Sequence, residues 1–191
     1  MAEIPWRGPL AANTVAGTIS GWDLAYRSLP SPLPMSRLLA DAIAHAEQGV
    51  PVTAGGADLA ASKPAELRDL PGAYAATFEP EGRPLQQGDT LKQPMLARTL
   101  RMLANDGLDS YYRGALAQHI ADDLAALGSP ITLEDLTAHQ ASSPEPLSLR
   151  LRDARLFNTA PPTQGLASLL ILALFDRLDA AQVDGFDHVH A

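Results

Sequence analysis

The 191 residues include no cysteine. The chain therefore forms no disulfide, carries no thiolate nucleophile and builds no zinc site on sulfur. Cations are scarce too: Lys and Arg number 14 against 22 Asp and Glu, a formal net charge of -8. That balance repels a phosphate backbone and argues against nucleic-acid binding. Long apolar runs are missing. The longest, Leu166 to Phe175, is broken by Ser168, and a membrane-spanning helix needs about 20 apolar residues. The opening MAEIPWRGPL lacks a basic stretch followed by an apolar one, so no secretory leader is read there. Hydrophobic residues still make up 46% of the chain. This excludes a disordered polymer and suffices for a packed core in one domain or slightly more.

Periodicity then sets the elements. The strongest signal lies between residues 88 and 140. Met95, Leu96, Leu100 and Leu103 recur at helical steps and predict one buried face. Pro94 suits the first turn, and a start at Thr90 with Gln93 closing a capping box competes with it. Asn105, Asp106 and Gly107 stop that helix. A second helix carries Tyr112, Leu116, Ile120, Leu124 and Leu127 on one stripe and ends at Gly128 and Pro130. Thr132 caps a short third helix, with Asp135 at its third position.

Residues 1–14 read as an extended lead-in in which Trp6 packs on the body. Gly17 and Gly21 precede a helix bearing Trp22, Ala25, Tyr26 and Leu29. With no Lys nearby, those glycines are read as close-packing positions and not as a phosphate cradle. One helix is expected from about Met35 to Gln48, another over residues 57–69 interrupted or started near Pro64, and a short one through Tyr74 to Phe78. After Pro144 and Pro146 the period changes to two. Leu147, Leu149 and Leu151 alternate with polar residues and pair through Asp153-Ala154 with a strand from Arg155 to Asn158, the single hairpin expected. A rigid elbow, Thr159 to Gly165, feeds a helix from about Leu166 to Leu178, apolar almost all round and expected to be buried. Asp187 to Ala191 reads as the opening of a further helix. The fold class is mainly α: an irregular bundle of about six to eight helices with one small β-hairpin. The domains are read as 1–14 lead-in, 15–140 helical domain, and 141–191 hairpin plus buried helix.

Three pieces in this order carry a family likeness. They are Gly88-Asp89-Thr90-Leu91 with Gln93, Leu96, Ala97, Thr99 and Leu100; Gly107, Asp109, Tyr112 and Gly114; and Ile131-Thr132 with Glu134-Asp135-Leu136. Val15-Ala16-Gly17 and Gly21 upstream, and Ala160 to Gly165 downstream, extend it over most of the chain. The sequence resembles the large subunit of gamma-glutamyltransferases (gamma-glutamyltranspeptidases), which are N-terminal-nucleophile hydrolases. The resemblance implies cleavage of gamma-glutamyl amides and transfer of the acyl group to water or an amino acid. The nucleophile would be the N-terminal Thr of a small subunit, activated by its own amine. That Thr lies downstream of the matching segment, so no catalytic residue is assigned here and the chain by itself is expected to be inactive. No cofactor is implied. The implied partners are the rest of the large subunit, the small subunit and gamma-glutamyl small molecules. The isolated chain is expected to be soluble, from a bacterial cytoplasm or periplasm, and to dimerise through uncovered apolar faces.

Substrate-binding candidates are confined to the elbow: Thr163, Gln164 and Gly165. The family's P-P-x-S-S-G-G reads Pro161-Pro162-Thr163-Gln164-Gly165 here, a departure that leaves other amide hydrolases and acylases open. A non-catalytic helical interaction module is the reading from a different class. The remaining candidates take bland readings. Arg7 and His45 are surface residues. Asp122-Asp123 and Glu134-Asp135 are solvated or serve helix N-termini. Ser142-Ser143 lacks a nucleophile context. His188 and His190 point to different helix faces and complete no metal set.

Overall fold

The computed structural model describes residues 3–29, 31–68 and 72–178. It divides into two compact units, Met1–Ala141 and Ser142–Ala191. The first is helical. Its elements are α1 (Thr18–Ser28), α2 (Met35–Leu38), α3 (Ala40–Gln48), α4 (Ala54–Ser62), α5 (Pro64–Leu67), α6 (Tyr74–Phe78), α7 (Pro94–Asp106), α8 (Ser110–Arg113), α9 (Ala115–Ala126) and α10 (Leu133–Ala138). The second unit holds a hairpin, β3 (Leu147–Arg150) with β4 (Arg155–Asn158), followed by α11 (Gly165–Arg177).

The first unit is built on α7. This helix starts at Pro94 with Gln93 as its N-cap, and it ends at Gly107, whose φ of 85° leaves the right-handed region. Thr90, the competing start, is instead extended. It pairs with Pro51 in a short antiparallel ladder of β1 (Val50–Pro51) and β2 (Thr90–Leu91). The hairpin is therefore not the only β structure. The ladder joins segments some forty residues apart and is two residues long, so no local alternation announces it. Gly49 makes the approach possible: at φ 95°, a Cβ there would lie 2.3 Å from Thr90 Cγ2. The Gln93 N–H then donates to the Ala46 carbonyl at 2.8 Å, fixing the start of α7 against the end of α3.

The buried face of α7 is Ala97, Leu100 and Leu103. Met95 is 70% exposed and Leu96 is also exposed, which corrects the expected stripe. The helix packs on α3 and α2 one position round from where the large side chains suggested, with small Ala97 allowing close approach. Leu39, Leu100, Leu103, Leu108 and Leu116 form the core, with Met35, Ile43, Met102 and Ile120 against it.

Two expected helices are broken. The one at 35–48 is interrupted at Leu39, a buried core residue with φ -91° and ψ -6°. The one through Tyr112 and Leu116 is interrupted at Gly114, which is extended at φ -117°, ψ -164°. A Cβ on Gly114 would sit 2.9 Å from the Ser110 carbonyl oxygen, so glycine permits this close turn. These breaks, and the split at Pro64, yield eleven helices among the described residues where six to eight were expected. Helix α10 begins as expected: Thr132 accepts from the Asp135 N–H at 3.3 Å, and the Asp135 carboxylate accepts from the Thr132 N–H at 2.8 Å. The lead-in is looped and not extended, with Gly8 at φ 88° and Ala11 buried. Trp6 is 75% exposed and lies under the Arg7 guanidinium, 4.1 Å from the ring centroid, not on the body.

In the second unit, the register pairs Leu147 with Asn158 and Leu149 with Leu156. The Leu151 N–H closes the turn on the Ala154 carbonyl at 2.8 Å. Helix α11 packs on both strands. Only Gly165 and Leu169 of it are buried, whereas Leu166, Leu170, Ile171, Leu172, Leu174 and Phe175 are exposed. The expected burial of this helix is corrected for this chain, in which it is the chief candidate for the uncovered apolar face through which dimerisation is expected. One hairpin covers one side of a helix that is apolar on all sides. The expected helix at Asp187 to Ala191, with His188 and His190, lies outside the described residues.

Candidate functional site

The elbow between β4 and α11 holds the three residues singled out by the sequence. Its backbone is fixed by two devices. The first is Gly165: a Cβ there would lie 2.0 Å from the Thr159 carbonyl oxygen and 2.9 Å from Asn158 Oδ1, so no other residue fits without displacing main chain. The second is the Thr163 hydroxyl. It lies 2.7 Å from Thr159 Oγ1, 3.0 Å from the Thr159 carbonyl and 3.1 Å from the Ala160 carbonyl, and it accepts from the Gly165 N–H at 3.2 Å. Thr163 is thus occupied in holding the turn. Gln164 is the N-cap residue of α11; its carbonyl receives the Ser168 N–H at 3.0 Å, while its exposed carboxamide makes no capping bond. Thr163 and Gln164 are both exposed, but the Thr163 hydroxyl is bonded within the turn whereas the Gln164 carboxamide makes no capping bond.

The first unit contains a constellation that the sequence did not reveal. Tyr112, 1% exposed, donates its hydroxyl proton to the Ala16 carbonyl at 2.6 Å and accepts from the Ser20 N–H at 3.0 Å. Its ring lies 5.1 Å from that of His139, whose Nε2 is 2.8 Å from Ser20 Oγ. Ser20 Oγ also reaches the Gly17 carbonyl at 3.0 Å. Arg113 donates to the His139 carbonyl at 2.7 Å and pairs with Asp109. Arg27 pairs with Asp23 at 2.8 Å. Ser20, His139, Gln140 and these two ion pairs line a polar cleft of about 290 Å³. Ser20 and His139 are 119 residues apart, and no spacing rule links them. Only the matched surface of α1, α8 and the segment after α10 brings them together.

The other candidates stay apart. Arg7 lies 3.5 Å from Glu66, which Lys63 also holds at 2.9 Å, and these contacts keep the Glu66 carboxyl below its usual range, the Lys63 hydrogen bond most of all. The two cations are spent on one carboxylate. His45 is exposed on α3. Asp122 accepts from the Gln118 amide at 2.8 Å. Asp135 is engaged in its cap, whose hydrogen bonds from the Thr132 backbone and hydroxyl hold its carboxyl low. Among the described residues no group of three or more metal-ligating side chains converges, and no helix is long and apolar enough to cross a membrane.

The architecture defines a mainly α assembly with one hairpin and a glycine-locked strand-to-helix elbow. Comparison with known proteins places it. The family model described as gamma-glutamyltranspeptidase matches residues 2–191, and the chain belongs to that family. It is 54% identical over 192 residues to the oxamate amidohydrolase proenzyme of Klebsiella pneumoniae subsp. pneumoniae, covering 98% of this chain and 36% of that protein. It is 32% identical over 169 residues to the glutathione hydrolase proenzyme of Escherichia coli K12, covering 88% and 29%. Among solved structures it resembles a cephalosporin acylase from Bacillus halodurans, with a TM-score of 0.83 and 31% identity over 91% of this chain and 33% of that one. The chain therefore spans about a third of the length of these relatives.

Proposed function

We propose that the chain is part of the large subunit of an N-terminal-nucleophile amide hydrolase, and that the whole protein cleaves an amide whose acyl group bears a carboxylate. What supports the reading is the 54% identity to an oxamate amidohydrolase proenzyme along 98% of the chain. Oxamate is a primary amide next to a carboxylate, and hydrolysis of such a substrate releases ammonia. In this reading an N-terminal Thr hydroxyl, deprotonated by its own amine, attacks the amide carbonyl. Nitrogen leaves with a proton, and water hydrolyses the acyl ester. Glutathione-type gamma-glutamyl amides are the second substrate class, favoured by the 32% identity to a glutathione hydrolase proenzyme. Acylase chemistry is the third, favoured by the cephalosporin acylase structure.

The role of this segment is a scaffold. Its partners are the rest of the large subunit and the small subunit. The elbow with Thr163, Gln164 and Gly165 shapes the approach to the substrate, Thr163 and Gly165 by holding the backbone and Gln164 by its exposed carboxamide. The 191 residues alone are inactive, and they self-associate through the exposed apolar side of α11. The experiment is expression of the full reading frame, followed by ammonia release from oxamate and anilide release from a gamma-glutamyl anilide. Turnover of oxamate with little of the anilide is expected. Turnover of neither, by a protein that has cut itself into two subunits, overturns the reading.

A further inference from the structure

We propose that the cleft between α1, α8 and the segment after α10 binds a small zwitterion of the α-amino acid class. The inference does not depend on the activity proposed above. Four charged side chains line the cleft in two opposite-sign pairs, Arg27 with Asp23 and Arg113 with Asp109. The two guanidiniums and the two carboxylates balance. An anion alone meets the guanidiniums only by drawing them off the carboxylates, and a cation alone draws the carboxylates off the guanidiniums. A molecule carrying both charges complements both sets at once.

The pairs are also cheap to share. Both are i,i+4 contacts on helical segments with at least one well-exposed partner: Arg27 is 69% and Asp109 61% exposed. Surface pairs of this kind contribute little to stability, so their donors and acceptors can turn to a ligand with small loss. The Arg27 bonds to Asp23 run through Nε and Nη2, which leaves Nη1 to meet a carboxylate. Gln140 is exposed and contributes an amide to the rim. The floor is rigid by contrast. Tyr112 is buried and fixes the Ser20 backbone, and His139 holds the Ser20 hydroxyl. A fixed floor under adaptable charged walls lowers the ordering penalty of binding. The volume of about 290 Å³ suits a molecule of amino-acid size.

The test uses the 191-residue chain and three probes of one shape: L-alanine, propanoate and ethylammonium. Backbone amide resonances of Ser20, His139 and Gln140 are followed during each titration at constant ionic strength. L-alanine is expected to shift them saturably, with propanoate and ethylammonium each binding at least about fivefold more weakly. Arg27→Met and Asp109→Asn are each expected to weaken L-alanine by about fivefold or more while leaving the thermal midpoint near that of the parent. Gln140→Ala is a third variant, on a rim residue outside the core, should either of these unfold. Absence of saturable shifts with L-alanine overturns the proposal. So does equal binding of propanoate, which would make this a plain anion site, or L-alanine binding that none of the variants changes.

Discussion

Helices α7 and α11 have the same length, thirteen residues each, and opposite relations to their surroundings. Helix α7 carries Arg98, Arg101 and Asp106 yet buries Ala97, Leu100 and Leu103. Helix α11 is far more apolar and buries Gly165 and Leu169. Apolar content does not decide burial; the number of faces that neighbouring elements cover does. In the first unit α2 and α3 close over the apolar side of α7. In the second, β3 and β4 cover one side of α11 and leave Leu170 at 56% and Phe175 at 50% exposed. An all-round apolar helix belongs in an interior. One unit thus has a finished core and the other an open face.

The contrast breaks first at the core. Leu103 is 1% exposed among the five core leucines. Leu103→Ala is expected to destabilise the first unit by about 2–5 kcal/mol, from lost burial plus the cavity left behind. Urea unfolding followed by circular dichroism measures this. An effect under about 0.5 kcal/mol would mean that the helices are not packed as described.

Gly165→Ala attacks the second unit alone. The new methyl would overlap the Thr159 carbonyl oxygen, and relieving such a clash costs about 1–3 kcal/mol. Hydrogen exchange is the appropriate readout. Amides from Asn158 to Ser168 should lose protection while those of α7 and α9 keep theirs. Loss throughout the chain would show that the two units unfold as one.

The open face of α11 makes a third difference. The chain is expected to associate at micromolar concentration, and Leu170→Glu with Leu174→Glu should return it to monomer. These residues stand one turn apart on the same side of the helix, and contiguous exposed apolar surface ordinarily marks an interface. Sedimentation velocity on parent and double variant decides it. A monomeric parent would show the face to be stable in water.

The legibility of the sequence follows the same division between local and non-local causes. Thr132 and Asp135 stand three residues apart and satisfy each other, so the start of α10 could be read directly. Pro94 and Gly107 likewise bracket α7, and the alternation of Leu147 with Leu149 gave the hairpin. The breaks at Leu39 and Gly114, the rotation of the α7 face toward Ala97, and the pairing of Val50 with Leu91 depend on what lies opposite in space, which no window of residues contains. The elbow was recognisable as a unit. That Thr163 is consumed by its own turn, while Gln164 is not, follows from how the chain folds back on Thr159 and Ala160. The cleft was invisible for the same reason: Ser20, Tyr112 and His139 each look ordinary in their own neighbourhoods.

The smallest expected effect concerns a charge. Asp135 closes the cap of α10. Its carboxylate accepts from the Thr132 N–H and the Thr132 hydroxyl, each at 2.8 Å. Those bonds, the backbone one foremost, hold its carboxyl below the ordinary value of 3.8. A carboxyl depressed in the folded state contributes stability that is present above its unfolded value, near 4, and lost as pH falls through the lower folded value. Glu66, Glu79 and Asp89 are depressed as well, by Lys63, Arg68 and Arg83 in turn. The acid limb of the whole chain therefore belongs to several groups. The contribution of one is isolated by difference. Asp135→Asn retains an oxygen acceptor and discards the charge. The thermal midpoints of parent and variant should differ most at about pH 6 and converge below about pH 4, where the parent carboxyl is taking up its proton. A gap that persists unchanged at the acid end would assign the role of Asp135 to shape alone. The contrast between the units would sharpen too, because Thr132 and Asp135 lie in the first. Hydrogen exchange in the second unit should not register the substitution at any pH.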